Sequence, residues 1–389
     1  MRVVVAPDKF KGSASAEEVA AALAAGLRRA RPDADIVLLP VADGGDGTIA
    51  AALSAGFEPV SCLADGPVGE PVETGFAFQA SARTAGGSGG SSPLASTAVV
   101  ELADVTGLRL LPGPKAPLTA STYGVGQVMA AALDHGASTI VLGIGGSAST
   151  DGGAGMLQAL GVVLTGPDGE SLARGGAALA GLARIDASGL DARIAAGRCS
   201  VLVASDVDNP LLGPTGAAAV FGPQKGASPA DVMLLDHALA RWAELTAQVT
   251  GTDLARAPGA GAAGGTGFGA LAYLGARLVP GVELVLDLIG FDAAVVGADL
   301  VITGEGSLDE QSLSGKAPVG VARAAGWAGV PVVAVAGQLS LTPDQLRDAG
   351  FAAGYSLADL EPDHAVSMTR AFELLEQIGF QVAADHVAR

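Results

Sequence analysis

The chain has 389 residues, 49% hydrophobic but only 4% aromatic, and its 22 basic and 40 acidic side chains give a net charge of −18. That length calls for two domains or three, with apolar content ample for their cores, while the negative balance argues against a nucleic-acid or anionic-membrane surface. Two cysteines without framework spacing, Cys62 and Cys199, indicate a reducing cytosol, and the apolar runs are too short for a signal peptide or a membrane span.

The first apolar run, over residues 3–6, reads as a strand that empties into PDKFKGS. Ser15 and Glu18 then form a capping box, and Val19, Leu23 and Leu27 recur at helical spacing until Pro32. A second strand over 36–39 leads through Asp43, Gly44, Gly45 and Asp46 into another helix, a βαβ start for a parallel sheet. Residues 66–111 break the rhythm. Strand patterns over 72–79 and 98–103 flank a glycine-serine loop at 85–92, which indicates a β-rich insertion. From Thr122 the α/β alternation returns, with a helix over 125–133 closed by His135-Gly136 and a strand over 139–142. A strand over 201–204, a helix over 229–250 and a glycine loop over 259–269 that precedes a further helix come next. Strands over 300–303 and 330–336 follow, and an amphipathic helix over 369–387 closes the chain. The fold class is therefore α/β. Residues 1–60 and 286–389 are expected to form one discontinuous domain, with 61–285 inserted as a second.

Five of these apolar runs end in loops of glycine, hydroxyl residues and carboxylates. The loops hold Asp8, Asp43, Asp46, Asp151, Asp206, Asp208, Glu305, Asp309 and Glu310. Lys9, Lys11 and Lys316 lie there too, with Lys225 in the related GPQKGAS loop. Only five lysines stand against seventeen arginines in this alanine- and glycine-rich chain, so a retained lysine suggests a compact point charge put to use. Strand-end loops of this kind form binding sites in α/β proteins, and the mixture suits phosphate, a metal and a small polar substrate. Over residues 303–309 two acids stand four apart after a buried strand, with Gly315-Lys316 close behind: a metal-and-phosphate constellation.

Other chemistries fit less well. No Walker A loop is present, because Glu310 occupies the first glycine position ahead of Gly315-Lys316. The G-x-G-x-x-G at 259–264 follows a proline and no strand. The glycine turn at 143–148 does follow a strand, but the acid that should end a strand about twenty residues on is poorly matched at Thr165-Gly166-Pro167-Asp168. A nicotinamide-dependent dehydrogenase of a small hydroxy acid is thus one alternative, and a non-catalytic small-molecule binder another. All four histidines lie outside the polar loops, which disfavours a Ser-His-Asp hydrolase, and neither cysteine has a zinc-spaced partner.

In order, APDKFKGS, VADGGDGT, TYGVG, GIGGSASTDGG, DVDNPL, GPQKG and TGEGSLDEQSLSGKAPVGVA resemble the bacterial glycerate kinases of the first type, from Val3 to about Ala336. The family more often has serine where Lys9 stands, glutamate at Asp46, T-N-D at Ser149-Thr150-Asp151 and cysteine at Ser205. The resemblance implies ATP- and Mg²⁺-dependent phosphorylation of D-glycerate to 2-phosphoglycerate. It also implies a Rossmann- or flavodoxin-like three-layer domain plus an inserted α/β domain, with the active site in the cleft between them. Lys11 is then expected to hold the substrate carboxylate or a phosphate. Backbone N–H groups of Gly44, Gly45 and Asp46, and of Gly145, Gly146 and Ser147, are expected to cradle phosphates. Asp206, Glu305 and Asp309 are expected to hold Mg²⁺, Asp206 or Asp151 to act as base, and Lys316 to neutralise the migrating phosphoryl group. Asp8, Asp43, Asn209 and Gly304 complete the expected substrate and nucleotide contacts. A soluble, cytoplasmic enzyme is expected, with no nucleic-acid or membrane partner; the oligomeric state is not legible.

Overall fold

A computed structural model of the chain describes residues 1–80 and 96–386, so the glycine-serine segment at 85–92 lies outside the described residues. The chain divides into two compact units. One comprises Met1–Asp43, Ala50–Ala55 and Val282–Arg389, and the other comprises Gly44–Ile49 and Gly56–Gly281.

The first unit is built on a five-stranded sheet. Its strands Arg2–Val5, Asp35–Leu38, Leu300–Leu308, Val332–Leu339 and Ala353–Ser356 all pair in parallel. Counted along the chain within this unit, they lie in the order 2-1-3-4-5, the flavodoxin-like arrangement. Alternate residues of one strand feed opposite cores. Val4, Ala6, Val301 and Ala334 pack with Val285 and Val321 on one face. Val3, Val5, Ile302 and Val333 pack with Leu23, Leu27, Leu375 and Ile378 on the other. Burial on both faces is why these strands read as unbroken β-branched runs. The helix Ala16–Ala30 begins at the expected capping box: Glu18 N donates to Ser15 Oγ, and Ser15 N donates to Glu18 Oε2.

The second unit carries a six-stranded mixed sheet. Thr97–Glu101, Thr139–Gly143, Ser200–Ala204 and Arg277–Val279 are parallel, and Pro71–Gln79 and Glu58–Asp65 complete one edge as an antiparallel hairpin. The helix Pro229–Thr250 covers the expected span, from a Ser228–Asp231 capping box to Gly251 in the left-handed region, and buries Trp242. Two features depart from the sequence expectation. The strand Glu58–Asp65 was hidden by its alternation of exposed and half-buried positions around Pro59 and Ser61. The glycine segment expected to precede a helix is already inside the helix Ala262–Tyr273, which is interrupted where Ala263, Gly264 and Gly265 adopt positive φ. Among the described residues no helix is long and apolar enough to cross a membrane.

Candidate active site

In the first unit the strand order reverses between Arg2–Val5 and Leu300–Leu308. Loops from the carboxyl ends of neighbouring strands diverge at such a switch point and leave a crevice. Here the crevice is a cavity of about 410 Å³ lined by Asp8, Lys9, Lys11, Asp43, Glu305 and Lys316, among others. Pro7 ends the first strand. Asp8 N then donates to Gly304 O at 2.8 Å, and the buried Phe10 closes a turn on Ala14, which sets Lys9 and Lys11 on the wall. Gly304 has no substitute, since a Cβ would stand 1.9 Å from Val335 O of the adjoining strand.

Glu305 follows at once and is largely buried. Lys316 Nζ lies 3.4 Å from Glu305 Oε2 and 3.2 Å from Ser312 Oγ. Asp309 Oδ1 accepts from Gln311 N at 2.9 Å and Ser312 N at 3.2 Å, fixing the turn that leads to Lys316. Burial pushes the Asp8 carboxyl up to about 6; Lys9 opposes that shift and Asp43 adds to it. Burial also raises Glu305, against the pull of Ser312 and Lys316, with Asp309 adding repulsion. Five expected site residues of this unit thus line one cavity (Asp8, Lys11, Asp43, Glu305 and Lys316), while Gly304 and Asp309 shape it from behind.

The second unit gathers its own strand-end loops. Gly44 takes φ of 85°, and a Cβ there would meet Ala204 Cβ at 2.6 Å and Gly281 Cα at 2.7 Å. The loop after Gly44 is pinned by Glu101, whose carboxylate accepts from Gly47 N and Ile49 N. Gly145 approaches Gly45 closely, so the two glycine turns expected to cradle phosphate adjoin within this unit. Asp206 is exposed, and its Oδ1 accepts from Gly281 N at 2.8 Å. Asn209 Nδ2 donates to Thr215 O. Asp151 is fully buried, and its carboxylate accepts from Thr122 N, Thr122 Oγ1, Ser121 Oγ, Gly153 N and Gly155 N. Four of these bonds end on Oδ2 and one on Oδ1, so the carboxylate is held between the starts of two helices, and it does not line the cavity of the first unit. After the turn at 143–148 the next helix begins only at Ala154, so no helix N-terminus meets that turn as a dinucleotide fingerprint requires.

A model of the glycerate kinase family matches residues 3–387. The glycerate kinase of Halalkalibacterium halodurans is 45% identical over 383 residues, covering 98% of this chain and 97% of the relative. The chain belongs to the glycerate kinase family. The glycerate 2-kinase of Escherichia coli is 43% identical over 360 residues, 92% of this chain and 90% of the relative. A crystal structure of a protein from Salmonella typhimurium LT2 superposes with a TM-score of 0.84 at 41% identity, covering 99% of this chain and 97% of that one. The chain is therefore a kinase on a mixed α/β fold.

A kinase needs cation chemistry at its phosphates, and the donor set here suits a hard cation. Glu305 Oε1 is buried without a hydrogen-bond partner, an open oxygen ligand on the cavity wall. Among the described residues, the one group of three carboxylates with ligand atoms within 4.8 Å of one another is Asp46, Glu101 and Asp104. Of these, only Asp46 belongs to a loop expected to carry site residues. Arg109 already pairs with Asp104 and approaches Asp46, and backbone N–H groups hold Glu101, so this trio is engaged in structure.

The structure also adds a cation to the kinase that motif reading left as a loop residue. Lys225 is entirely buried, with Nζ donating to Ser147 Oγ at 3.0 Å and to Ser149 O. Its sequence signals were membership of the rare lysine set and its place in the GPQKG motif, and neither announced its burial. Burial drives its pKa down to about 7 from 10.5, and Asp151 opposes the shift. Above pH 7 the unfolded chain keeps a proton that the folded chain sheds, so this residue's contribution favours folding more as pH rises toward 10. Urea unfolding at pH 7.5 and 9 should show wild type gaining on Lys225→Met by up to about 1.4 kcal/mol per pH unit. A difference that does not change with pH would mean the buried amine keeps its proton.

Proposed function

We propose that the chain transfers the γ-phosphoryl group of ATP to the C2 hydroxyl of D-glycerate, in a Mg²⁺-dependent reaction giving 2-phosphoglycerate. The observation that carries the reading is the switch-point cavity of the first unit, where Lys9, Lys11 and Lys316 meet Asp8, Asp43 and Glu305. On a chain of net charge −18, three ammonium groups offset the cavity's three carboxylates and give a small anionic substrate local cations to pair with. A molecule as small as glycerate fills only part of the volume and leaves room for the migrating phosphoryl group.

Phosphoryl transfer asks a protein for alignment and charge compensation more than for covalent help. Lys11, exposed at the tip of its turn, anchors the substrate carboxylate. Lys316, steadied by Glu305 and Ser312, meets the charge that spreads over the phosphoryl oxygens. Glu305, with Asp309 behind it, would hold the metal. When bound, Mg²⁺ neutralises phosphate charge and fixes the phosphate chain. The glycine turns at Gly44–Asp46 and Gly145–Ser147 offer backbone N–H groups to nucleotide phosphates. Asp151, bonded to Ser121, Thr122, Gly153 and Gly155, positions the loop after Ser147.

ADP release measured with ATP, Mg²⁺ and D-glycerate tests the reading. It should depend on all three. A nicotinamide oxidation signal with a hydroxy acid would instead support a dehydrogenase, and glycerate binding without any turnover would support a binder.

A further inference from the structure

Phosphorylation of an alcohol requires its proton to leave, and Asp151, fully buried, does not line the cavity to receive it. We infer that Asp8 is the catalytic residue that takes the proton of the acceptor hydroxyl; this rests on the kinase reading above. Three features of the cavity single it out. Asp8 is nine-tenths buried yet lines the cavity, so its carboxylate reaches the ligand space from a desolvated position. Its orientation is fixed, because Oδ1 accepts from Lys9 N at 2.6 Å and lies 3.4 Å from Lys9 Nζ. Its backbone is fixed as well, by the Asp8 N to Gly304 O bond across the switch point.

The other carboxylates of the cavity are less suited. Glu305 is engaged by Lys316 and offers its remaining oxygen as a metal ligand. Asp43 faces Asp8 as a like charge and helps to keep its proton affinity high. Lys9, Lys11, Lys316 and His364 are the further titratable groups on the wall. Burial outweighs Lys9 and brings Asp8 to about 6, so the group is ionised at neutral pH and still basic enough to accept a proton.

The step balances. A lone pair of the C2 oxygen forms the new bond to the γ-phosphorus. The bond from that phosphorus to the β–γ bridging oxygen breaks, and ADP leaves with the electron pair. The C2 hydroxyl proton passes to Asp8, which returns it to water after product release.

The test is kcat, kcat/KM and their pH profiles for wild type, Asp8→Asn and Asp8→Glu, with unfolding midpoints and ATP binding as folding controls. Wild-type kcat/KM for glycerate should fall as pH drops through about 6, since protonation removes the base. Asp8→Asn should lose kcat by roughly 10²–10⁴-fold, lose that acidic limb and bind ATP as before. Asp8→Glu should recover part of kcat. A folded Asp8→Asn that keeps wild-type kcat overturns the inference. So does one whose activity returns at high Mg²⁺, which would make Asp8 a metal ligand. An acidic limb that persists in Asp8→Asn and vanishes in His364→Gln assigns the proton to His364 and also overturns it. Wild type without glycerate-dependent ADP release would overturn the kinase reading itself, a result separate from any behaviour of the variants.

Discussion

In excess EDTA, ATP turnover with D-glycerate should fall to background and return on addition of Mg²⁺. The expectation follows from charge. Asp8, Asp43 and Glu305 share one cavity, on a chain already at −18, and ATP brings several further negative charges. At a few ångströms, each like-charge pair costs on the order of several kcal/mol at the effective dielectric of a protein surface. Three lysines offset the cavity's own carboxylates and leave little for the triphosphate. Glu305 Oε1, buried with no hydrogen-bond partner, is an atom whose desolvation a bound cation would offset. Full activity in EDTA would remove the metal role from Glu305 and Asp309 together.

Lys316→Ala should lower kcat by on the order of a hundredfold or more and weaken ATP binding far less. A group that meets charge developing in the transition state shows its loss in kcat, whereas a group that binds ground and transition states alike shows it in KM. The proposed function gives this side chain the first role. It leaves a turn held by the Asp309 carboxylate, and its Nζ is steadied by Glu305 Oε2 and Ser312 Oγ on the cavity wall. Kinetics of the variant with saturating ATP and glycerate read this directly. An unchanged kcat would make Lys316 an ordinary solvated lysine.

Much of this was legible in the sequence wherever local chemistry decides structure. The Ser15–Glu18 box, the β-branched run at 3–6 and the helix after Ser228 each carry their own signal, and each appears where it was expected. The strand-end loops were legible for the same reason, since a buried parallel strand must stop at glycine and polar residues. Burial of polar groups was not legible. Lys225 and Asp151 look alike in sequence, each in a glycine-rich loop. Folding encloses both and spends both on loop geometry. Glu101 ends an apolar strand, and nothing near it announces that it will hold Gly47 N and Ile49 N from a distant segment. The inferred preference for Asp8 over Asp151 as base depends on which carboxylate faces a cavity. Only the tertiary arrangement of the strands Arg2–Val5 and Leu300–Leu308 determines that.

The central claim is phosphorylation at C2, and the product's fate with enolase tests it most directly. A carboxylate anchored by Lys11 beside the Asp8 wall presents the adjacent hydroxyl most readily. With ATP, Mg²⁺ and D-glycerate, the product should be consumed by enolase at once, with no phosphoglycerate mutase present. A product that enolase takes up only after mutase is added would carry its phosphate on C3 and contradict the account.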